Sequence, residues 1–483
     1  MKKQSNPMIQ LTEQELDTLL QSVDIPTPYG DLIPKISPWR QSMKLLVWGM
    51  MFTSIKLEFW NLHYILPALG AILFLLALLP LRRESGWFRL AFWGSIGQFL
   101  HTAITLFLQG TIWHNRFMDT ALGTVLNVSV WFFFFAIYFA PLLGLAHLSR
   151  KSGCPPPNKR LVGFMLLSMG AYFYMGLAAA LPSFLPLLAF AVYFYLLLRL
   201  LRQAFREMDQ VDYLIQSRPA KLSARPLGIL LASFLIICTA VGMTVGQSYP
   251  MDWQPVDLRQ EHQGQEDLMA ELLSKGMPEH ILMDLTAEDV ASLAGATEFL
   301  VLEDPDSHFA QGQHTPNGAR LLVTYLHIGF ETADGAFRWK WLYHFRWEGD
   351  PGLRKTAYFK GSSTHSVSPN VLSTGRVLYE DAGITYAGNY FGNDHTSTDS
   401  GYAETFSPPQ NGLAHRGYLF FEDTCNNRIY AINGIATLIY QDNTPRYPCV
   451  TAAEISRQSF LFGDPKGFYR FQSGFFGKHT PWF

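Results

Sequence analysis

Two short acidic clusters are the candidates for chemistry in this sequence. They are Glu303-Asp304-Pro305-Asp306 with His308, and Asn393-Asp394-His395 with Asp399. Carboxylate oxygens at such spacing can bind calcium, and an acid beside a histidine can exchange protons with a substrate. Acidic and Asx-rich turns have the same composition and are far commoner than sites, so a structural turn is the competing interpretation of each cluster.

No motif for enzyme chemistry accompanies these clusters. The sequence contains no HExxH, GxSxG, GxGxxG, Walker loop or CxxC pair, so the common signatures of metalloproteases, hydrolases and nucleotide binding are absent. Ten of the 14 histidines follow Gly246, but they are spread singly, without the close spacing of two ligands on one metal. We therefore predict no catalytic residue, no metal site and no cofactor.

One alternating segment, 337–347, is aromatic on one face and basic on the other. The aromatic face has Phe337, Trp339, Trp341, Tyr343, Phe345 and Trp347, and the basic face has Arg338, Lys340, His344 and Arg346. An exposed aromatic face would stack on a glycan or a partner protein, with Trp339 and Trp341 as ligand-binding residues. The basic face would then meet anionic wall polymer or lipid headgroups. The competing interpretation places the aromatic face in the core and the basic face in solvent.

Gln98 and His101 lie one helical turn apart in an otherwise apolar segment. An ionisable residue inside a membrane is a functional hypothesis by default, so this pair could contact a proton or a ligand. The alternative is an interhelical hydrogen bond that packs a helix bundle. The apolar segments contain no Asp or Glu, so a transporter would lack its usual coupling group.

The elements that carry these residues differ between the two halves of the chain. Up to residue 245 there are 20 Lys and Arg against 11 Asp and Glu, and beyond it 17 against 28. Six apolar segments without carboxylates predict membrane-spanning helices at 63–81, 87–109, 121–147, 161–181, 183–201 and 226–245. A weaker seventh, 44–60, would rely on Lys44 and Lys56 reaching outward.

Charge asymmetry sets the expected orientation of the helices. With seven spans and a cytoplasmic N-terminus, 18 Lys and Arg near the span ends face the cytoplasm, and only Lys56 and Arg116 face the other side. The tail 1–43 has no apolar signal region, and Thr12 with Glu15 predicts a short capped helix there. Because seven spans follow a cytoplasmic N-terminus, we expect the domain after the last span to lie outside the cytoplasm.

The segment 65–73, ILPALGAIL, is followed by Leu81-Arg82-Arg83 and by Trp87-Phe88-Arg89-Leu90-Ala91. This pattern resembles uncharacterised multi-pass membrane proteins of low-GC Gram-positive bacteria, in which an apolar span opens with Pro and Gly and closes on basic residues. The resemblance covers about a tenth of the chain. It implies a bacterial cell membrane and no particular activity.

The acidic second half predicts a helical spacer, 247–297, and a β-rich, sandwich-like domain, 298–483. Helix signals occur at 267–273, after Pro278, and at Thr286 with Asp289, and the expected spacer core includes Leu268, Leu272, Leu273, Ile281, Leu282, Leu285, Val290 and Leu293. Ten short alternating runs then predict antiparallel strands, two of them at 428–433 and 437–440. The Gly, Ser and Thr-rich stretch from Asn393 to Gly412 is expected to be a loop.

Cys425 and Cys449 are the two cysteines expected on the oxidising side, and a bridge between them is predicted. Such a bridge would stabilise the domain by about 3.5 kcal/mol in the chain-entropy account.

The leading hypothesis is a membrane bundle, 44–246, that presents an extracytoplasmic binding or sensing domain to an envelope glycan or protein. The first alternative is a transporter or permease component that uses Gln98 and His101. The second is a membrane-bound envelope hydrolase built on the acidic clusters. A nucleic-acid partner is excluded because the outer domain is acidic and would repel phosphate backbones.

Overall fold

The structure is a computed structural model of the 483-residue chain. It describes residues 38–54, 61–152, 159–178, 192–203 with gaps, 224–304, 316–331, 337–363, 373–391, 401–422 except 410, 431–457 and 466–478. The predicted tail helix at Thr12 and Glu15 lies outside these residues.

The first half is helical. Its helices are α1 (Pro38–Ser54), α2 (Leu62–Leu81), α3 (Gly86–Gln109), the short α4 (His114–Met118), α5 (Ala121–Ser152), α6 (Lys159–Ala178) and α7 (Ala224–Val245). Four of the described helical segments are long and apolar enough to cross a membrane: α2, α3, 121–147 of α5, and α7, with mean hydropathies of 2.4, 1.2, 2.0 and 2.3.

The prediction of seven spans is not supported, because four helices meet the requirement in the described part of the chain. The segment 44–60 falls on α1, which has only 17 residues and carries Lys44. The segment 161–181 falls on α6, which does not reach the same combination of length and hydropathy. The segment 183–201 lies mostly outside the described residues.

Small residues let α1 and α2 approach closely. A Cβ added to Gly70 would lie 2.5 Å from the Thr53 methyl group and 2.9 Å from the Gly49 carbonyl oxygen. The Thr53 hydroxyl is 2.7 Å from the Tyr138 hydroxyl of α5, which ties a third helix to this crossing. Small-residue contact with a polar link is the usual way that helices pack where no hydrophobic effect drives them together.

The chain divides into two compact units. The first comprises 1–106 and 117–239, and the second comprises 107–116 and 240–483. The last turn of α3 and the segment that follows it therefore belong to the same unit as the β strands.

A helical spacer precedes the sheets. It consists of α8 (Leu258–Glu261), α9 (Glu266–Ser274), α10 (Glu279–Asp284) and α11 (Ala287–Ala291). Pro278 precedes α10, where its missing N–H costs nothing. The Thr286 side chain accepts a hydrogen bond from the Asp289 N–H at 3.1 Å, as the capping pattern predicts. All but two of the expected core leucines, isoleucines and valines are buried; Leu268 is partly buried, and Leu273 is 38% exposed, contrary to the prediction.

The strands form two antiparallel sheets. They are β1 (Gln254–Pro255), β2 (Glu298–Asp304), β3 (Arg320–Glu331), β4 (Phe337–Glu348), β5 (Ala357–Ser363), β6 (Thr374–Asp381), β7 (Ile384–Asn389), β8 (Gly401–Phe406), β9 (Leu413–Glu422), β10 (Ala431–Gln441) and β11 (Phe468–Lys478). The large sheet has the order β1-β7-β6-β9-β4-β3-β2, and the small sheet has the order β11-β10-β5-β8. A short helix, α12 (Ala452–Ser456), lies between β10 and β11.

The large sheet is covered on both faces. On one face Trp341, Tyr343 and Phe345 pack against residues of the small sheet, among them Phe359 and Tyr440, to form the sandwich core. On the other face Leu326, Ile328, Leu342 and Phe420 pack against the apolar residues of the spacer. On the spacer face β4 carries the buried Leu342 and the buried His344, and a polar residue at such a position needs a hydrogen-bond partner inside the protein.

One predicted loop and one pair of predicted strands need correction. The stretch 393–412 was expected to be a loop but contains β8, whose Tyr402 and Phe406 are 2% and 3% exposed inside the sandwich. The burial of these two aromatic side chains on the same face favours a strand more strongly than the surrounding Gly and Ser residues favour a loop. The predicted strands 428–433 and 437–440 are not separate, because 431–433 and 437–440 belong to the single strand β10, which pairs with β11 and β5; residues 428–430 lie outside the described residues.

Phe345 has no exposed surface and packs at the centre of the sandwich, whereas Leu413 of β9 is 60% exposed. We expect Phe345→Ala to destabilise the sandwich by about 3–5 kcal/mol, because it removes buried area and leaves a cavity. Leu413→Ala should change the free energy of unfolding by less than about 0.5 kcal/mol. Urea unfolding of the full-length chain in detergent, followed by circular dichroism, measures both; equal effects would contradict this core.

Candidate functional site

A row of polar residues crosses the large sheet on the face that the spacer covers. Glu303 of β2 pairs with Thr324 of β3, and Thr324 pairs with His344 of β4. His344 pairs with Tyr418 of β9, and Tyr418 with Arg376 of β6. Directly opposed residues of neighbouring strands share a face, so these five side chains, hereafter the polar row, lie side by side.

The spacer supplies Asp284 to the centre of the polar row. Asp284 is the last residue of α10, and the extended Leu285 and the N-cap Thr286 end that helix immediately after it. The carboxylate is 4% exposed. Its Oδ2 lies 2.9 Å from His344 Nε2, and its Oδ1 accepts a hydrogen bond from Arg416 Nε at 2.8 Å.

Two arginines complete the charge balance around Asp284. Arg376 donates from Nε to the Asp284 carbonyl oxygen at 2.9 Å and pairs through Nη1 with Glu261 of α8 at 2.9 Å. Arg416 also pairs with the half-exposed Glu380 at 2.9 Å. Buried charges are tolerated when they are paired and hydrogen-bonded in this way.

Burial by itself would raise the pKa of the Asp284 carboxyl, but the hydrogen bond and charge of His344 and the charge and hydrogen bond of Arg416 outweigh it. They hold that pKa below its ordinary value. The same contact with Asp284 raises the pKa of the Arg416 guanidinium against the opposing effect of burial. Both groups are therefore charged throughout the neutral range.

A second spacer carboxylate closes the row on its other side. Tyr418 donates its hydroxyl proton to Asp289 of α11, and the Thr374 hydroxyl donates to the other carboxylate oxygen at 2.7 Å. The Tyr418 oxygen in turn accepts the Thr286 N–H at 3.0 Å. The Tyr418 hydroxyl and both Asp289 carboxylate oxygens are therefore hydrogen-bonded within the protein.

The opposite end of the row opens into a pocket. The cavity has a volume of ≈ 60 Å³ and is lined by His280, Glu303, Leu322, Val323, Thr324, His344 and Arg346. The His280 and His344 rings meet edge to face at 5.8 Å between centroids. Burial, followed by the charges of His344 and Arg346, lowers the pKa of His280. Asp284 occupies Nε2 of His344, so Nδ1 is the ring nitrogen left to serve the pocket.

The predicted ligand-binding tryptophans lie in the sandwich core. Trp339 is 2% exposed and Trp341 is 1% exposed, and Trp341 stacks parallel to Phe421 at 6.4 Å. From Trp339 to Trp347, the part of the strand whose side chains are described, the aromatic face of β4 offers no external stacking surface. The opposite, basic face is not fully solvated either, because His344 is buried beneath the spacer and Lys340 donates to the Ser292 carbonyl oxygen at 2.9 Å.

Gln98 and His101 are half-buried on α3. The His101 ring lies close to the backbone of Leu126 in α5. The packing role and the transport role of Gln98 and His101 both stay predictions.

Among the described residues of the two acidic clusters, Glu303 reaches the pocket. Glu303 lines it, whereas 305–308 and 393–399 lie outside the described residues. Within the described ranges no three His, Cys, Asp or Glu side chains are close enough to hold a metal ion. Cys425 also lies outside them, and Cys449 has a free thiol whose pKa burial raises to about 12. The bridge between them stays a prediction.

The sequence reasoning did not find Asp284, Arg376 and Arg416. A signal was present, since both arginines interrupt apolar strands, and arginine in a strand that is buried on both faces needs a carboxylate partner. Which carboxylate it is depends on a spacer residue that is far away along the chain.

Comparisons with known proteins give no family. No family model matches the sequence. No curated protein matches it either. A solved structure described as a pore forming protein aligns with 30% of this chain and 79% of its own length, at 9% identity and a TM-score of 0.17. A score this low does not indicate a shared fold, so nothing is inferred from that protein.

Asp284→Asn should remove the anion that holds His344 and Arg416, and we expect it to cost about 3–5 kcal/mol at pH 7. Glu380→Gln is the matched control: it also loses a carboxylate on Arg416, but at an exposed position, and should cost less than about 1 kcal/mol. Urea unfolding of the full-length variants in detergent measures both.

The pH dependence of this effect has a defined sign. Because the pKa of Asp284 is lowered in the folded protein, its contribution is complete above the ordinary carboxyl pKa of about 4. The contribution is lost as the pH falls through the folded value. The difference between wild type and Asp284→Asn should therefore narrow below about pH 4, and a difference that widens there would contradict the assignment.

Proposed function

We propose that this chain is a multi-pass membrane protein whose helical half anchors an extracytoplasmic β-sandwich domain that binds or senses an envelope molecule. The observation that carries the proposal is the apolar outer surface of the helices. On α5, Leu122, Val125, Val128, Phe132 and Phe135 recur every three or four residues and are 55% to 69% exposed. A continuous apolar stripe of this kind is rare in water and is covered by lipid in a membrane.

Helix α7 strengthens this argument. Its most apolar 18-residue window is only 11% buried at a mean hydropathy of 2.3. Ile229, Leu230, Ile236 and Ile237 are all more than half exposed, and they form one broad face of the helix. A helix with a broad apolar face that is poorly covered by protein is suited to lipid contact.

The distribution of charge supports the orientation. Basic residues cluster in the connections assigned to the cytoplasm, as positive-inside placement requires. Seven spans remain the proposed number because only an odd number places the tail and the sandwich on opposite sides. With α1, α6 and 183–201 added to the four apolar helices, the bundle 44–246 would have this parity.

Attachment of the sandwich to helix ends supports a sensing role over that of an independent appendage. Within the second unit, the Gln109 carbonyl accepts the Cys449 N–H at 2.7 Å, and its side chain accepts the Tyr447 hydroxyl at 3.1 Å. The Gln247 amide donates to the Gly110 carbonyl at 3.3 Å and accepts the Arg446 N–H at 3.1 Å. A change at the sandwich would therefore reach the ends of α3 and α7.

The proposed partners are the lipid bilayer and an envelope glycan or protein, at a bacterial cell membrane. The transporter that uses Gln98 and His101 and the envelope hydrolase stay alternative predictions.

The parity of the spans gives a direct test. In intact cells, a tag fused after Phe483 should react with a membrane-impermeant reagent, and a tag before Met1 should react only after lysis. Four spans alone would place both tags on one side. Both tags reacting in intact cells, or neither, would contradict the proposed topology. Labelling of both tags after lysis is the control for reagent access.

A further inference from the structure

The pocket at the open end of the polar row brings one guanidinium and two imidazole rings together beside a single carboxylate, Glu303. His280, His344 and Arg346 all line it. The carboxylate nearest to Arg346 is Glu348, at 3.7 Å, and both side chains are partly exposed. In the described ranges, neither His280 nor Glu303 makes an ion pair within 4 Å.

The pocket is rigid on its inner side. His344 is held at Nε2 by Asp284, and Asp284 is itself held by Arg416. Thr324, 5% exposed, lies directly across from His344 in the strand register. Because Nε2–H donates to Asp284, Nδ1 of His344 donates to a ligand from the protonated ring. Groups fixed in advance by a second layer of hydrogen bonds bind a ligand without an additional ordering cost.

The cavity is small. Its volume is ≈ 60 Å³, and one buried water needs roughly 10–15 Å³ on the same measure. A single phosphate or carboxylate group fits between these side chains. The planar guanidinium of an arginine donates two parallel hydrogen bonds to such groups.

We infer that this pocket binds an oxyanion, a phosphate or carboxylate group carried by a larger molecule, through Arg346 and His280 at its mouth and His344 and Thr324 at its base. Glu303 stands at the same mouth and opposes the anion. The inference deepens the proposed function, on which it rests for its place in the envelope, by naming the class of ligand.

Arg346 and Glu303 carry opposite charges at the mouth of the pocket, so removing one or the other should change the affinity for phosphate in opposite directions. Full-length protein in detergent is titrated by calorimetry with inorganic phosphate, acetate and, as the cationic counterpart, methylammonium. Arg346→Gln should weaken phosphate binding by roughly tenfold or more, because it removes a charge-assisted pair of hydrogen bonds. Glu303→Gln should tighten it, because it removes the opposing charge, and loss of folding cannot produce tighter binding.

The control is Arg338→Gln, which removes an exposed arginine of the same strand outside the pocket lining. It should leave phosphate affinity unchanged. Equal weakening by Arg338→Gln and Arg346→Gln would reduce the effect to net charge and overturn the site. Binding of methylammonium that Glu303→Gln abolishes would also overturn it, since the ligand would then be a cation.

Two phosphate esters distinguish the source of the anion. Tighter binding of methyl phosphate than of dimethyl phosphate indicates a terminal phosphate, and the reverse indicates a phosphodiester such as a lipid headgroup or a wall polymer. Either result supports the inference. If neither phosphate, acetate nor either ester binds, the inference is overturned. The topology test is independent. If the chain binds phosphate but neither tag reacts in intact cells, the oxyanion pocket is supported and the proposed function is contradicted. If the tags react as expected but no anion binds, the proposed function is supported and the oxyanion pocket is contradicted.

Discussion

The constraint on which the second half of the molecule depends is the polar row that crosses the large sheet under the spacer. Thr324, His344, Tyr418 and Arg376 are each less than 9% exposed, in a sheet whose two faces are both covered. Polar groups removed from water must be hydrogen-bonded inside the protein. Otherwise the free energy of their desolvation exceeds the stabilisation that the apolar contacts of the interface contribute. Asp284 and Asp289 of the spacer meet that requirement.

Such buried ion pairs contribute position more than stability. The free energy of taking Asp284, Arg416 and Arg376 out of water offsets most of their mutual attraction. The apolar residues around them, such as Leu282, Leu285 and Leu342, supply the hydrophobic stabilisation. What the charges decide is the register, because a shift of α10 by one turn would leave a carboxylate or a guanidinium buried without its partner.

The pocket follows from the same arrangement. The spacer satisfies the row from Arg376 to His344, and beyond His344 it provides only His280, so the row continues into an open cavity with Arg346 beside it. The domain is acidic as a whole, and that charge repels an extended polyanion such as nucleic acid. A single oxyanion is governed instead by the three or four groups within a few ångströms of it, because solvent and salt screen the distant charges.

Local patterns in the sequence were sufficient where one physical effect acts along the chain. Alternation predicts the strands, including β4 and its aromatic face, because the side-chain period of a strand is fixed by its geometry. Capping residues predict the spacer helices for a similar reason, and apolar length predicts the helices α2, α3, α5 and α7. The described helices support four of the seven predicted spans. The strand β8 was not predictable in this way, because burial of its aromatic side chains overrides a Gly-rich composition.

The site depended on tertiary structure. Asp284 and His344 are 60 residues apart in sequence, and Asp284 and Arg416 are 132 apart. Glu303 was visible in the sequence as part of an acidic cluster, but its neighbours His280 and Arg346 come from another helix and another strand. By itself the sequence determined the elements and their faces, because periodicity and capping are properties of neighbouring residues. Which polar residues meet was decided only by the tertiary structure: by the register of the strands β2, β3, β4, β9 and β6, and by the position of α10 on the sheet. Long-range strand pairing is what brings these residues into one row.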